Sequence, residues 1–270
     1  MRENAKIEKK DRILLFIPGY NCEKQLPRVL KKLNKEVMEY IDEIIFVNNR
    51  STDNTEVVAL ECKKKYKLPL KVLRNDHNYN LGGSHKVAFQ YAMDNGFDYV
   101  IILHGDDQGD INDILPVLKS GEYGKHDCML GSRFMRKNES YSTFRTFGNK
   151  VYNSLFSAVV GRKILDLGSG LNLYSVKMLR DKFYFKFPDR LTFNYCMILA
   201  SNYYNHDIAF FPITWREEDQ VSNVKMVSQA TNVLGMLGKY AVNHEFIRKE
   251  LREEPIKEYT YKEIKKSEKK

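Results

Sequence analysis

The chain has 270 residues, enough for one large α/β domain or two small ones, and a hydrophobic fraction of 43% that excludes global disorder. Its formal net charge of +9 points to an anionic partner such as a nucleotide, a phospholipid surface or a nucleic acid, although a Lys-rich C-terminal stretch carries part of that charge. Four scattered cysteines without a CxxC pair argue against a structural zinc site, and a charged N-terminus without an apolar run leads to the expectation of a cytoplasmic protein that meets a membrane only at its inner face.

Residues 1–11 read as a polar lead-in. Ile13-Leu14-Leu15-Phe16-Ile17 is a continuous apolar run, hence a buried strand, and Pro18-Gly19-Tyr20-Asn21 breaks it. Leu26, Val29, Leu30, Leu33 and Val37 recur at helical spacing, with Pro27 near the start where its missing N–H costs nothing. Ile44-Ile45-Phe46-Val47 is the next strand. It runs into Asn48-Asn49-Arg50-Ser51-Thr52-Asp53, and Asp53 with Glu56 reads as a capping pair for a helix reaching about Tyr66. A short strand, Leu70–Leu73, is followed by a glycine turn over 78–84 and an amphipathic helix through Val87, Ala88 and Tyr91.

The run Tyr99-Val100-Ile101-Ile102-Leu103 is the strand that organises the rest. It stops at His104-Gly105-Asp106-Asp107-Gln108. A helix over Ile111–Leu118, a strand at Cys128–Leu130, a helix through Phe147–Val159, a second glycine turn at 166–170, a strand at Leu171–Tyr174, a helix near 190–202 and a strand at 208–215 complete the pattern. Residues 221–251 read as an amphipathic helix and the lysines beyond as a frayed, solvated tail. Alternating strands and helices predict an α/β, doubly wound and mostly parallel sheet. The division is a lead-in at 1–11, a catalytic domain at 12–228, and a C-terminal amphipathic helix with basic tail at 229–270.

In such a sheet, ligands bind at the carboxyl ends of the strands. Pro18–Asn21, Asn48–Asp53 and His104–Gln108 all fall there. Asp106 and Gln108 offer hard oxygen ligands and His104 an imidazole, a set suited to Mg²⁺ or Mn²⁺ held with a diphosphate. The competing reading is a solvated turn. Arg133, Arg145, Arg216 and Lys225 form a second, basic group suited to a phosphate, or paired with nearby acids. Lys86, one turn into its helix, is placed to meet a phosphate.

Taken together, Pro18-Gly19-Tyr20-Asn21, Asn48 to Asp53, Asn78-x-x-x-Gly82-Gly83, Asp106-x-Gln108, Gly131-Ser132-Arg133-Phe134, Asp166-x-x-Ser169-Gly170 and Pro212-Ile213-Thr214 resemble a family 2 glycosyltransferase of the GT-A fold. The dolichol-phosphate mannose synthase-like branch is the nearer likeness. The resemblance implies a UDP- or GDP-sugar donor, one divalent metal, inversion at the anomeric carbon, and a polyprenyl-phosphate, other lipid-linked or glycan acceptor used in cell-surface polysaccharide or glycolipid synthesis. Pro18, Tyr20, Asn21, Glu23 and Asp53 would line the nucleotide, Asn48 would meet the base, and Asp106 with Gln108 would hold the metal. Arg133, Arg145, Arg216 and Lys225 would meet the acceptor phosphate.

The family usually has Asp at Asn48, Asn49 and His104, Gly at Asn80, and often an acid at Asn194. A sugar hydroxyl acceptor requires a base, for which Asp107, Asp166 and Asp219 are candidates, whereas a phosphate acceptor requires none. These substitutions keep a second reading open, a catalytically silent domain that binds nucleotide or a partner protein. Nucleic acid is not expected, because basic and aromatic residues do not interleave in a strip. No GxGxxG follows the first strand, which argues against a nicotinamide cofactor.

Overall fold

The computed structural model describes residues 11–136, 143–217 and 226–266. β1 (Ile13–Gly19) is buried along its whole length because it has apolar layers on both sides. Leu14 and Phe16 face one core and Ile13, Leu15 and Ile17 the other, as the two-residue period of a strand requires. β2 (Glu43–Asn48) and β4 (Tyr99–Leu103) flank β1 in parallel, and β3 (Leu70–Asn75) lies beyond β2. β5 (Cys128–Ser132), β6 (Leu171–Ser175), β7 (Ile208–Pro212) and β8 (Tyr261–Glu263) complete an eight-stranded sheet in the order β7-β5-β6-β4-β1-β2-β3-β8. β6 and β8 run antiparallel to their neighbours and the other pairings are parallel.

One core holds α1 (Leu26–Lys31), α3 (Thr55–Tyr66) and α5 (Leu115–Ser120) against the sheet. The other holds α4 (Asn80–Asp94), α6 (Thr143–Val160), the short α7 (Val176–Leu179), α8 (Phe193–Tyr203) and α9 (Met226–Val242). Each fully buried Leu, Ile or Phe in these layers contributes roughly 1.5–3 kcal/mol.

Several elements differ from the sequence expectations for identifiable reasons. The helix expected over 26–37 is two pieces, α1 and α2 (Lys35–Met38), because the Asn34 side chain accepts from Val37 N–H at 3.0 Å and starts a new turn. The Gly82-Gly83 turn is the first part of α4 itself. Gly82 is there because its N–H reaches Asp189 O at 2.6 Å, and a Cβ would lie 2.7 Å from Pro188 O. The C-terminal stretch is not simply a solvated tail. After α9 it crosses to the far edge, where Leu73 pairs with Glu263 and Asn75 with Tyr261, and Ile264 is buried.

Candidate active site

The sheet reverses its winding at β1, with β2 on one side and β4 on the other, so a crevice opens at their carboxyl ends. Backbone bonds join the three ends: Gly105 N–H donates to Pro18 O at 3.0 Å and Asn49 N–H to Gly19 O at 2.9 Å. Pro18 itself is buried in β1.

Beyond β1 the chain turns at Asn21 with a positive φ of 50°. Asn21 N–H donates to Ser51 Oγ at 3.0 Å, and its Oδ1 accepts from Thr52 N–H at 2.8 Å. Glu23 and Asp53 lock the same two loops together. Asp53 accepts from Glu23 N–H at 3.2 Å and Thr55 N–H at 3.0 Å, while Glu23 accepts from Asn54 N–H at 2.9 Å. The N-cap position of α3 is Asn54, without a side-chain cap bond, so the expected Asp53–Glu56 capping pair does not form: Asp53 closes the turn before the helix and Glu56 turns back to Asn48 and Arg74. Tyr20 stands at the lip, 46% exposed.

The structure places Asn48 where both ends of its amide are already engaged: Nδ2 donates to Glu56 Oε2 at 2.9 Å and Oδ1 accepts from Ser51 N–H at 2.9 Å. Its neighbour Asn49 lines a cleft of about 1120 Å³, together with Tyr20, Asn78, Arg190, Lys239 and Phe246. The cleft runs from the strand edge to the C-terminal segment. Asp106 and Gln108 do not line it; they follow β4, on the other side of β1 from β2.

The turn after β4 is held by ions. Asp106 Oδ1 accepts from Gln108 N–H at 3.1 Å, and Asp107 between them has a φ of 61°. Asp107 is almost fully buried. It binds Arg28 Nε at 2.6 Å, Lys32 Nζ at 2.8 Å and Arg216 Nη2 at 2.5 Å. Burial pushes its pKa up, but the bonds from Lys32 and Arg28 and the charge of Arg216 outweigh that and hold the carboxyl below its usual range. Gln108 O accepts from Arg216 N–H at 2.9 Å, so Arg216 is pinned to this turn by backbone and side chain. That corrects two expectations on physical grounds. Asp107 is a poor base when three cations occupy its oxygens, and Arg216 faces a carboxylate where an acceptor phosphate was expected.

His104 donates its N–H to Gly170 O at 2.9 Å. Its ring packs on Gly170 and lies 6.2 Å from the His85 ring, and burial lowers its pKa, so the imidazole is neutral. Its Nε2 is buried without a hydrogen-bond partner among the described residues. Among the described residues no group of three or more His, Cys, Asp or Glu side chains could hold a metal alone. Asp106 and Gln108 still fit a hard divalent cation, which typically takes one or two protein oxygens and fills its shell with phosphate oxygens and water. The Gln108 Nε2 turns to Arg216 O at 3.5 Å, leaving the amide oxygen on the opposite side.

Arg133 and Asp166 are bound to each other, through Nη2–Oδ1 at 2.7 Å and Nε–Oδ2 at 2.8 Å, with Arg133 N–H on Oδ2 at 2.9 Å. The guanidinium lies 4.9 Å from the Trp215 ring centre. With Gly168 N–H at 3.2 Å on its other oxygen, Asp166 has no acceptor position left for a substrate proton. Lys86 also departs from its expected role. It is fully buried and binds Phe187 O at 2.6 Å, Asp189 at 2.7 Å and Tyr259 Oη at 3.1 Å, so it clasps the C-terminal segment to α4. Burial pushes its amine down to about 8. The Arg145 side chain, Lys225 and Asp219 lie outside the described residues.

Sequence reasoning missed Arg28 and Lys32, one turn apart on the segment facing Asp107, and did not see that Asn49, Asn75, Asn78 and Ser84 form a network. The i, i+4 basic pair was the available signal for the first. Only the run of asparagines at the strand ends hinted at the second.

Residues 15–183 match the family model described as glycosyl transferase family 2. An undecaprenyl-phosphate 4-deoxy-4-formamido-L-arabinose transferase of Proteus mirabilis is 28% identical over 169 residues, which is 62% of this chain and 50% of that protein. A dolichyl-phosphate beta-glucosyltransferase of Trichomonas vaginalis is 24% identical over 255 residues, 86% of this chain and 74% of that protein. Among solved structures, glucosyl-3-phosphoglycerate synthase from Mycobacterium tuberculosis with UDP matches with a TM-score of 0.58 at 14% identity, covering 86% of this chain and 80% of that one. The same enzyme with Mn²⁺ and UDP-glucose matches with a TM-score of 0.55 at 14% identity, covering 94% and 86%. At that identity the likeness is one of fold, the GT-A fold.

Proposed function

The chain belongs to glycosyl transferase family 2, and from that premise we propose that it moves a sugar from a UDP- or GDP-linked donor to a polyprenyl-phosphate or other lipid-linked acceptor, with Mg²⁺ or Mn²⁺ and inversion at the anomeric carbon. The observation that carries this reading is the turn after β4, which sets Asp106 and Gln108 at the crevice between β4 and β1. Relatives named as transferases to undecaprenyl-phosphate and dolichyl-phosphate support the acceptor class. Neighbours solved with UDP, UDP-glucose and Mn²⁺ support the donor and the cation.

In this reading Asp106 and Gln108 would hold the cation, which would supply positive charge against that of the departing nucleoside diphosphate. Tyr20, Asn21, Glu23 and Asp53 form the rigid first wall of the nucleotide pocket. The ionic turn around Asp107 keeps Asp106 and Gln108 aligned. Both Asp107 and Asp166 are saturated by cations and N–H donors, so neither is placed to take a proton. That favours an acceptor that is already ionised, a phosphate, over a sugar hydroxyl.

A lipid-linked acceptor brings the chain to a membrane. No helix among the described residues is long and apolar enough to cross one. The outer face of α6 carries Phe147, Val151 and Leu155, one per turn, and the neighbouring α9 exposes Leu234 and Val242. With basic residues nearby contributing roughly 1 kcal/mol each at an anionic surface, this face supports peripheral docking. Deleting the C-terminal tail is a poor test, because β8 and Tyr259 belong to the fold. A Phe147→Ser/Leu155→Ser chain is expected to stay in the supernatant with anionic vesicles at low salt, where the unaltered chain sediments.

Transfer is tested directly by incubating the protein with UDP- and GDP-sugars, Mn²⁺ and a short polyprenyl phosphate. Release of nucleoside diphosphate coupled to glycolipid formation is the expected result. Tight nucleotide binding without any turnover would leave the silent-domain reading standing instead.

A further inference from the structure

Beyond α9 the chain makes a helical turn, His244–Arg248, and then runs without helix or strand to β8. Ile247 and Tyr259 are buried at the two ends of that run, and no residue from 248 to 258 between them is. Arg252 stitches the run internally. Its Nε and Nη2 meet the two oxygens of Glu250 at 2.7 and 2.6 Å, and its Nη1 donates to Ile256 O at 2.8 Å. A planar guanidinium bound at three points along one loop fixes residues 250–256 relative to each other.

The two ends of the run are held firmly and the middle is not. Tyr259 Oη donates to Asp189 at 2.8 Å beside the buried Lys86, and the chain continues into the pairing of β8 with β3. The middle is tied to the body by Leu251 N–H on Lys186 O at 2.9 Å, by the half-buried Leu251 and Ile256, and by an ion pair of Glu253 Oε2 with Arg190 Nη2 at 2.8 Å. The side chains of that pair are 69% and 66% exposed, so water and salt leave it weak. Glu253 and Ile256 line the cleft, as do Arg190 and, from α9, Lys239. A surface loop with fixed ends and its own internal contacts has the Ω form, which is frequently functional.

We infer that residues 249–258 are an autoinhibitory lid on the cleft, moving as one stitched body between Ile247 and Tyr259, with Glu253 holding it shut on Arg190. Arg190 is a cation that the cleft would otherwise offer to an anionic ligand, and Glu253 is the stand-in for that anion within the chain. A phosphate monoester carries more charge than a carboxylate and fits the same guanidinium fork, so it displaces Glu253 and frees the lid. Lys239 adds a second positive charge to the same cleft. The shut lid and a bound phosphate compete, and the apparent affinity for the phosphate is reduced by the fraction of the chain that is shut. This rests on the acceptor reading above and adds the regulation of that site.

Hydrogen exchange and calorimetry of the full chain with a short polyprenyl phosphate test it. In the free chain the amides of 249–258 are expected to exchange faster than those of β3 and β8, and faster still with the phosphate bound, while the two strands do not change. Glu253→Gln removes the competing charge and is expected to bind the phosphate up to about fivefold more tightly, the ratio that an exposed ion pair supports. A gain in affinity is not what a damaged fold produces. In an Arg190→Gln chain, which is expected to bind more weakly, the same Glu253→Gln change should have no effect, because the pair it breaks is already gone. Equal or weaker binding by Glu253→Gln, an equal gain in the Arg190→Gln chain, or no rise in exchange over 249–258 on binding would overturn the inference alone. A chain that does not bind polyprenyl phosphate, with or without Glu253→Gln, would overturn the acceptor reading and this inference with it.

Discussion

The two ends of the crevice solve the same mechanical problem with opposite chemistry. Each contains a residue with left-handed backbone, Asp107 with φ 61° at the β4 end and Asn80 with φ 56° at the α4 end. At the β4 end the turn is held by Arg28, Lys32 and Arg216 on one buried carboxylate, with Asp110 also 3.4 Å from Lys32. At the α4 end it is held by Asn49, Asn75, Asn78 and Ser84, none of them charged. Ion pairs at close range are strong but radial, so they anchor the turn that in the proposed function would face a diphosphate and a cation. Amides are weaker and directional, so they fix the backbone groups they meet in one orientation.

The largest effect expected is at the ionic end. Asp106→Ala is expected to reduce Mn²⁺-dependent UDP binding by about a hundredfold or more, on the scale of losing a metal ligand, while the melting temperature holds. Calorimetry with and without Mn²⁺ measures it. A variant with unchanged affinity and metal dependence would remove Asp106 from the site and make the turn purely structural.

Next in size is Asp107→Asn. It leaves Arg28, Lys32 and Arg216 facing a neutral group in a nearly dry position, and about 2–3 kcal/mol of stability is expected to go in urea unfolding, less than for a fully buried triad because the cations are partly exposed. The sign of its pH dependence follows from the direction of the shifts. Asp107 and Asp110 titrate below their ordinary range when folded, so they add stability above the unfolded carboxyl value of about 4. That stability is lost as the pH falls through the lower folded values. The gap between the unaltered chain and Asp107→Asn should therefore narrow below about pH 4. A gap of constant size would mean that the three cations do not stabilise this carboxylate.

Arg133→Ala follows. The sequence pattern suggested an acceptor contact, but the guanidinium is bidentate on Asp166 and covered by Trp215. Its removal strands a buried carboxylate, and about 2 kcal/mol of stability is expected to be lost, with donor and acceptor steps affected alike. A selective rise in the acceptor KM at unchanged stability would restore the phosphate-contact role.

What could be read from the sequence follows from what is local. β1, β2 and β4 were legible because strands buried on both faces are uninterrupted apolar runs, and their polar ends marked the crevice. Asp106 and Gln108 were placed at that edge by the abrupt end of β4. The directions of β6 and β8 were not legible, because pairing direction depends on partners and not on the pattern of one strand. Nor were the fates of Lys86, Arg133 and Arg216. A basic residue near a phosphate site and one clasping a distant carboxylate look alike in sequence; Lys86 meets Tyr259 and Arg216 meets Asp107 across more than a hundred positions. The two amide ends of Asn48 and Asn49 point to different partners although the residues are adjacent, which alternation along a strand allows but does not assign.

The smallest expected effect sharpens the comparison most. Asn75 is fully buried, yet its Oδ1 has no hydrogen-bond partner among the described residues, so Asn75→Ala removes one unsatisfied acceptor together with two donated bonds. Asn49 Oδ1 keeps Tyr79 N–H, and Ser84 Oγ keeps its bond to Asn80 O. The net cost is expected to be about 1 kcal/mol, at the low end for a buried amide, because the desolvation of Oδ1 is relieved as the bonds are lost. Every member of this network is neutral throughout the ordinary pH range, so the difference from the unaltered chain should stay flat in urea unfolding from about pH 8 to below about pH 4, where the Asp107→Asn gap closes. A slope in the Asn75→Ala difference would place a titrating group inside the amide end, and the contrast between the two ends would then be one of degree and not of kind.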